Sequence, residues 1–328
     1  MSSSTLELPS GYYLERDPDI LILRRLDGTM VAAFSAYGAT VEAIQQTAEE
    51  AAYGELCADG DGAPTPDTPS VKTRLWVRFF GNFEVFRDDE VMPLGTNAKA
   101  LTILKYLLAH RARPVSRDHL MGLLWPESNL KRARWSLNSA VRSLRKLLGD
   151  RPSTATFTNC ILLEDSHYRL SPTLRVSTDV DEFDAHYEQA RRLEKDRRPL
   201  EATEEYEKAV GLYRDDYLVE DLYEDWTMVE RERLVNAYMD TLDRLAGHYM
   251  DAGRWQDSVR ARYRILEKDP CHEVSYRLLM ECYVRLGLRT RALRQYRLCE
   301  GILKRKRGMV PSPETRALYS SILRNDVG

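Results

Sequence analysis

The stretch Leu130-Lys131-Arg132-Ala133-Arg134-Trp135-Ser136-Leu137-Asn138-Ser139-Ala140-Val141-Arg142-Ser143-Leu144-Arg145-Lys146-Leu147-Leu148-Gly149 decides how this chain is read. Ala133, Leu137, Ala140, Val141, Leu144 and Leu148 recur at the 3.6-residue period, so they form one apolar face of a helix packed in a core. Gly149 is the cap signal at its end. The opposite face carries Lys131, Arg132, Trp135, Asn138, Ser139, Arg142, Arg145 and Lys146, with Arg134 beside them. An α-helix fits the DNA major groove, where Arg bonds guanine O6/N7 and Asn bonds adenine N6/N7. A bland reading makes Arg142, Arg145 and Lys146 a solvated cationic end, favoured by the helix dipole. It leaves Asn138 and Ser139, weak helix formers on the same stripe, without a reason. Trp135 stays open between DNA contact and partial burial as a packing residue.

The flanking segments complete a pattern. Upstream lie short strands at 75–80, 83–86 and 90–94, with Asp88-Asp89 as the turn between the last two. A helix follows over Ala98–Ala109, then a second over Arg117–Trp125 with Ser116 as N-cap and Pro126 as stop. Downstream, Phe157–Leu163 and Tyr168–Leu170 form a hairpin around Glu164-Asp165-Ser166-His167. Strands, three helices and a closing hairpin make a winged helix-turn-helix. The hairpin residues His167 and Arg169 suit phosphates or the adjoining minor groove.

From Val180 onward every pattern is helical. Tyr249 to Tyr283, Gly253 to Gly287 and Ser258 to Ala292 are each spaced by 34 residues, the tetratricopeptide period, and Ala202-x3-Tyr206-x2-Ala209 has related spacing. The register has a flaw: Arg262 stands where Tyr296 predicts an aromatic, and Tyr263 comes one place late. Before the winged helix, residues 19–56 read as a small ββα unit. Its parts are Asp19–Arg24, an Asp27-Gly28 turn, Thr29–Phe34, and a helix with Val41, Ile44, Ala48, Ala51 and Ala52 on one face. The fold class is therefore mainly α with small β elements. Its expected divisions are the ββα unit at 1–56, a Gly/Pro/Asp-rich linker at 57–73, the winged helix at 74–176 and the repeat domain at 177–328.

The 328 residues carry 48 Lys+Arg against 51 Asp+Glu, a net charge of −3 that excludes a uniformly basic coat. The total hides opposed blocks. Residues 97–151 hold twelve bases and three acids, 177–232 hold nineteen acids and eight bases, and 285–307 hold nine bases and one acid. The last block is expected to rest against the acidic one. Five cysteines are scattered without zinc-ligand spacing, so reduced core thiols are expected and no metal or cofactor. The N-terminus lacks the basic and apolar regions of a signal peptide, and no apolar run reaches about 18 residues, so a cytoplasmic protein without membrane contact is expected.

The runs Pro114-Val115-Ser116-x3-Leu120-x3-Leu124-Trp125-Pro126 and Arg132-Ala133-Arg134-x2-Leu137, continuing to Leu144-Arg145-Lys146-Leu147-Leu148-Gly149, carry a family likeness. Val180-Asp181-x-Phe183, Glu273-x2-Tyr276-Arg277-x-Leu279-Met280-x2-Tyr283, Ala292-Leu293-x2-Tyr296 and Pro311-Ser312-Pro313-x-Thr315-x2-Leu318-Tyr319 share it. Together they resemble the Streptomyces antibiotic regulatory protein family over about 75–323. The resemblance implies a response-regulator-type winged helix joined to a bacterial transcriptional activator domain. It implies a transcription activator that binds direct repeats in double-stranded DNA near promoters and contacts RNA polymerase. By position, 130–148 is the recognition helix, 157–170 the wing, and Glu127, Ser128 and Asn129 the polymerase-contact loop. Two departures stand out: the wing reads Ser166-His167-Tyr168 where the family has glycine before the tyrosine, and the ββα unit is extra.

An enzyme is not expected, because GxxxxGK, GxSxG and HExxH are absent. The competing reading is a tetratricopeptide-type adaptor or ligand sensor whose winged helix meets protein. A homodimer on DNA and an unknown ligand or protein on the repeat domain stay open as further partners.

Overall fold

The structure, a computed structural model, describes residues 74–95, 97–148 and 160–325, and before them Leu8, 12–17, 20–25, 30–35, Ile44 and Ala48. The chain divides into two compact units, Met1–Pro69 and Ser70–Gly328.

In the first unit, β1 (Tyr12–Asp17), β2 (Ile20–Arg25) and β3 (Met30–Ser35) form an antiparallel sheet in that order. Leu23 faces Leu14 on one side and Ala32 on the other, and a register shift follows it. Tyr12, Leu23, Ile44 and Ala48 are buried, and the last two are helical. The sequence reading of two strands and a helix thus gains a strand at its start. The Asp27-Gly28 turn, Val41, Ala51, Ala52 and the 57–73 linker lie outside the described residues.

The second unit opens with β4 (Arg74–Arg78), β5 (Glu84–Arg87) and β6 (Glu90–Val91), an antiparallel run with Asp88 and Asp89 both at positive φ in the turn. Three helices follow: α1 (Ala98–Ala109), α2 (Arg117–Leu124) and α3 (Leu130–Leu147). Asn97 Oδ1 accepts from the Ala100 N–H and caps α1. Ser116 holds the N-cap position of α2 as expected, but its side chain makes no cap bond there. A short strand, β7 (Val115–Ser116), pairs with β9 (His167–Leu170), which pairs with β8 (Ile161–Glu164). Gly149 and the start of the expected 157–163 strand lie outside the described residues. Ile103, Leu104, Leu107, Leu120, Leu137 and Leu144 fill the centre.

The chain then returns to its first sheet. β10 (Arg175–Thr178) lies parallel to β4, with Val176 opposite Leu75, and runs directly into α4 (Asp179–Lys195). The helices α5 (Pro199–Leu212), α6 (Asp225–Asp251), α7 (Trp255–Lys268), α8 (Glu273–Arg285), α9 (Arg289–Arg307) and α10 (Pro313–Arg324) follow. The 34-residue spacing corresponds to two helical hairpins. Gly253 and Gly287 turn the chain at φ +71 and +73, while Tyr249, Ser258, Tyr283 and Ala292 are buried at the helix contacts. The flaw in the register is real and has a partner: Arg262 is 2% exposed and pairs with Asp243. Tyr263 instead reaches the next hairpin, where its hydroxyl accepts from Gln295 Nε2 at 2.9 Å and meets the Tyr283 hydroxyl at 3.1 Å.

Winged helix and helical repeat share one core. Asp179, buried at the start of α4, accepts the Phe79 and Phe80 N–H groups at 2.8 Å each, and the Leu218 N–H donates to the Phe79 carbonyl at 2.9 Å. Lys105 of α1, 3% exposed, pairs with Asp221 at 2.5 Å, and Tyr106 meets the Trp226 ring edge-on at 5.1 Å. One charge expectation is corrected. Bases from several elements satisfy the acidic segment, among them Lys105 with Asp221, Arg233 with Asp184 and Lys268 with Asp216. The cationic block of α9 does not rest on it. Within the described residues its ion pair is Arg307 with Asp269, at 3.8 Å and outside that segment.

Candidate nucleic-acid interface

The helix α3 places its two faces as the period requires. Ala133, Leu137, Ala140, Val141, Leu144 and Leu148 are buried, whereas Lys131, Arg132, Arg134, Trp135, Asn138, Ser139, Arg142 and Lys146 are exposed. Trp135 is 73% exposed, which removes the packing alternative. An indole held in water has no apolar gain from its position, so its placement favours a contact made with something else. Leu130, 77% exposed at the first turn, joins this surface; the periodicity did not single it out. A lone apolar residue beside bases suits a thymine methyl group. Asn129 fixes the start of the helix, its Oδ1 accepting the Arg132 N–H at 2.9 Å.

Arg145 and Arg169, both expected contact residues, are engaged with the wing. Arg145 is half-buried and donates from Nε and Nη2 to the Ile161 carbonyl, at 3.2 and 2.9 Å, tying the last turn of α3 to the wing. Arg169 lies on the wing, but Nε and Nη2 donate to both carboxylate oxygens of Glu164, at 2.9 and 2.8 Å. The Arg169 hydrogen bond holds the Glu164 carboxyl below the usual carboxylate range, and the same bond raises Arg169. The wing therefore shows little free positive charge at that point. His167 is exposed, with Nδ1 donating to the Asp165 carbonyl.

The wing closes tightly without glycine. Asp165 and Ser166 sit at φ +46 and +64, the left-handed pair that a two-residue hairpin turn needs. The Arg117 N–H donates to the Ser166 carbonyl at 2.9 Å, which fastens the turn to the start of α2. In the loop between α2 and α3, Asn129 serves as the α3 cap, Ser128 is half-buried with its N–H on the Trp125 carbonyl, and Glu127 is exposed. Of those three, Glu127 is the one whose side chain faces outward with no structural task.

Elsewhere two clefts border the junction of α1 with the strands and helices around it. One, of about 420 Å³, is lined by Phe79, His110, Arg113, Tyr217, Trp226 and Glu230, and a second, of about 490 Å³, lies across Arg113 towards Arg169 and Ser171. Cys160, Cys271, Cys282 and Cys299 are buried thiols, and burial pushes Cys299 up to about 12. Among the described residues no group of His, Cys, Asp and Glu is placed to hold a metal, and no helix is long and apolar enough to cross a membrane.

Comparison with known proteins places two matches end to end. Residues 92–160 match the family of the C-terminal domain of transcriptional regulatory proteins, and residues 178–323 match the bacterial transcriptional activator domain. The transcriptional regulatory protein MoaR1 of Mycobacterium tuberculosis is 27% identical over 233 residues, covering 71% of this chain and 74% of its own. EmbR of the same organism is 39% identical over 80 residues, 24% of this chain and 20% of its own. A solved structure of EmbR, in complex with a low-affinity phosphopeptide, superposes with a TM-score of 0.63 at 25% identity, over 77% of this chain and 66% of that one.

Proposed function

Because the chain belongs to the Streptomyces antibiotic regulatory protein family of transcriptional regulators, we propose that it is a cytoplasmic activator that reads promoter DNA through α3. Arg132, Asn138 and Arg142 address base edges in the major groove. Trp135, Lys131, Arg134, Ser139 and Lys146 address the backbone around them, and His167 reaches the flanking groove from the wing. Arg145 acts through the wing it holds, and Arg169 acts only once Glu164 releases it. Two copies occupy neighbouring direct repeats, and Glu127 faces RNA polymerase.

The observation that supports this reading best is the exposed stripe of Lys131, Arg132, Trp135, Asn138, Ser139, Arg142 and Lys146, on a helix whose other face is buried. Selection from a random duplex pool by the full chain should enrich a repeated motif. Replacing Arg132 and Arg142 together with alanine should weaken binding to that motif by about 30-fold to 20,000-fold, at roughly 1–3 kcal/mol for each of the two bidentate base contacts. Unchanged binding is what an adaptor with a protein-facing winged helix would give. For the polymerase contact, Glu127→Lys should lower transcription in a purified system while leaving DNA affinity intact.

A further inference from the structure

The acidic segment finds its counter-charges within the chain, from bases such as Lys105, Arg233 and Lys268. The cationic helix α9 does not. Arg289 donates to the Ile322 and Leu323 carbonyls, and Arg307 lies 3.8 Å from Asp269. Arg294, Arg297, Lys304 and Arg305 are exposed, and no acid among the described residues lies within 4 Å of them. These four fall on the side of α9 opposite Ala292, Tyr296, Cys299 and Leu303, which are buried against α8 and α10. Gly301 stands midway between the two pairs, and a side chain placed there would meet nothing within 4 Å. The result is a flat cationic strip from 294 to 305, about 16 Å long at 1.5 Å per residue, with Leu298 at its margin. Like charges left this close repel one another unless an anion covers them.

We propose that this strip of α9 is a second DNA-contacting surface, which grips the phosphate backbone of the duplex and leaves base reading to α3. The proposal rests on the DNA-reading function above. A duplex segment about 16 Å long carries roughly ten phosphate charges, ample for four cations. A protein partner fits less well. Protein interfaces are built round an apolar centre depleted in charge, and this strip has four cations about a bare Gly301, with one leucine and Glu300 at its margins. A second copy of the chain offers an acidic segment whose charges are largely engaged already.

The test measures the affinity of the full chain for a 40-bp mixed-sequence duplex by fluorescence anisotropy across a salt series. The variant carries Arg294→Gln, Arg297→Gln, Lys304→Gln and Arg305→Gln, all at exposed positions. Its plot of log affinity against log salt should be shallower than that of the unmodified chain by about 2 to 4, at roughly 0.9 per phosphate contact. Each pair of substitutions alone should produce part of that change, with the thermal midpoint unmoved. Slopes that coincide within about 0.5 overturn the second surface. So does a variant whose only defect is lost self-association in sedimentation, because the occupant is then another copy. The Arg132→Ala, Arg142→Ala chain is measured beside it. If the unmodified chain binds no duplex, the DNA-reading function falls and takes this surface with it. If that chain binds and only the α3 substitutions matter, this surface alone falls.

Discussion

At the scale of single residues, Asp179 joins the two halves of the 70–328 unit. Its carboxyl is enclosed at the first turn of α4 and accepts two backbone N–H groups from the segment after β4. Burial pushes it up to about 6 from an ordinary 3.8, against the pull of those N–H groups and of Arg78. The folded state then holds a proton on this group at pH values where the unfolded chain has lost it. Its contribution is therefore greatest in acid, and falls as pH rises from about 4 through 6. Between pH 7 and pH 5 the unmodified chain should gain about 1 kcal/mol from this group, and Asp179→Asn should lack that gain. Urea unfolding of both chains at the two pH values checks this; an equal pH effect in both would remove Asp179 as its source.

At the scale of elements, the wing is the part whose charge the sequence misleads about. Arg169 reads as a DNA contact from its place in the hairpin, yet it forms a two-pronged pair with Glu164 on the neighbouring strand. Glu164→Gln should free it, strengthening duplex binding several-fold and steepening the salt dependence by about 1. Binding titrations over a salt series would show this, and weaker binding would mean that Glu164 orients the wing. The contrast with α3 shows what a sequence makes legible. A helix repeats its faces every 3.6 residues, so Ala133 to Leu148 declared both the core and the stripe without any knowledge of neighbours. Tyr249, Gly253 and Ser258 recur in the same way. The engagements of Arg145 with the Ile161 carbonyl and of Arg169 with Glu164 depend on which strand lies alongside which, and no local period carries that. The strand Tyr12–Asp17 was missed for a related reason: a six-residue strand ending in Glu15-Arg16-Asp17 offers only Tyr12 and Leu14 to alternate.

At the scale of the whole molecule, the winged-helix layer and the first helices of the repeat behave as one body, because residues 75–176 and 183–265 contribute to one core. Lys105 is the most exposed test of that unity. Lys105→Ala leaves the Asp221 carboxylate largely enclosed without its cation, which costs about 3 kcal/mol or more. Hydrogen exchange should then speed up together in α1 and in the first turns of α6; a change confined to α1 would show that the layers open independently. The pairing of β4 with β10 has a further consequence, in time. Phe79 and Asp179 are 100 residues apart, while the helical hairpins close over about 34. At roughly 5–20 residues per second, a chain leaving the ribosome carries β4 for about 5–20 s before its partner strand emerges. Through that interval Phe79 and Phe80 lack the later rings that enclose them at the end, Tyr217 on Phe79 and Phe183 and Tyr213 on Phe80. Translation that stalls between Pro126 and Arg175 should therefore raise nascent-chain aggregation, whereas a stall late enough for Thr178 and α4 to have left the ribosome should not.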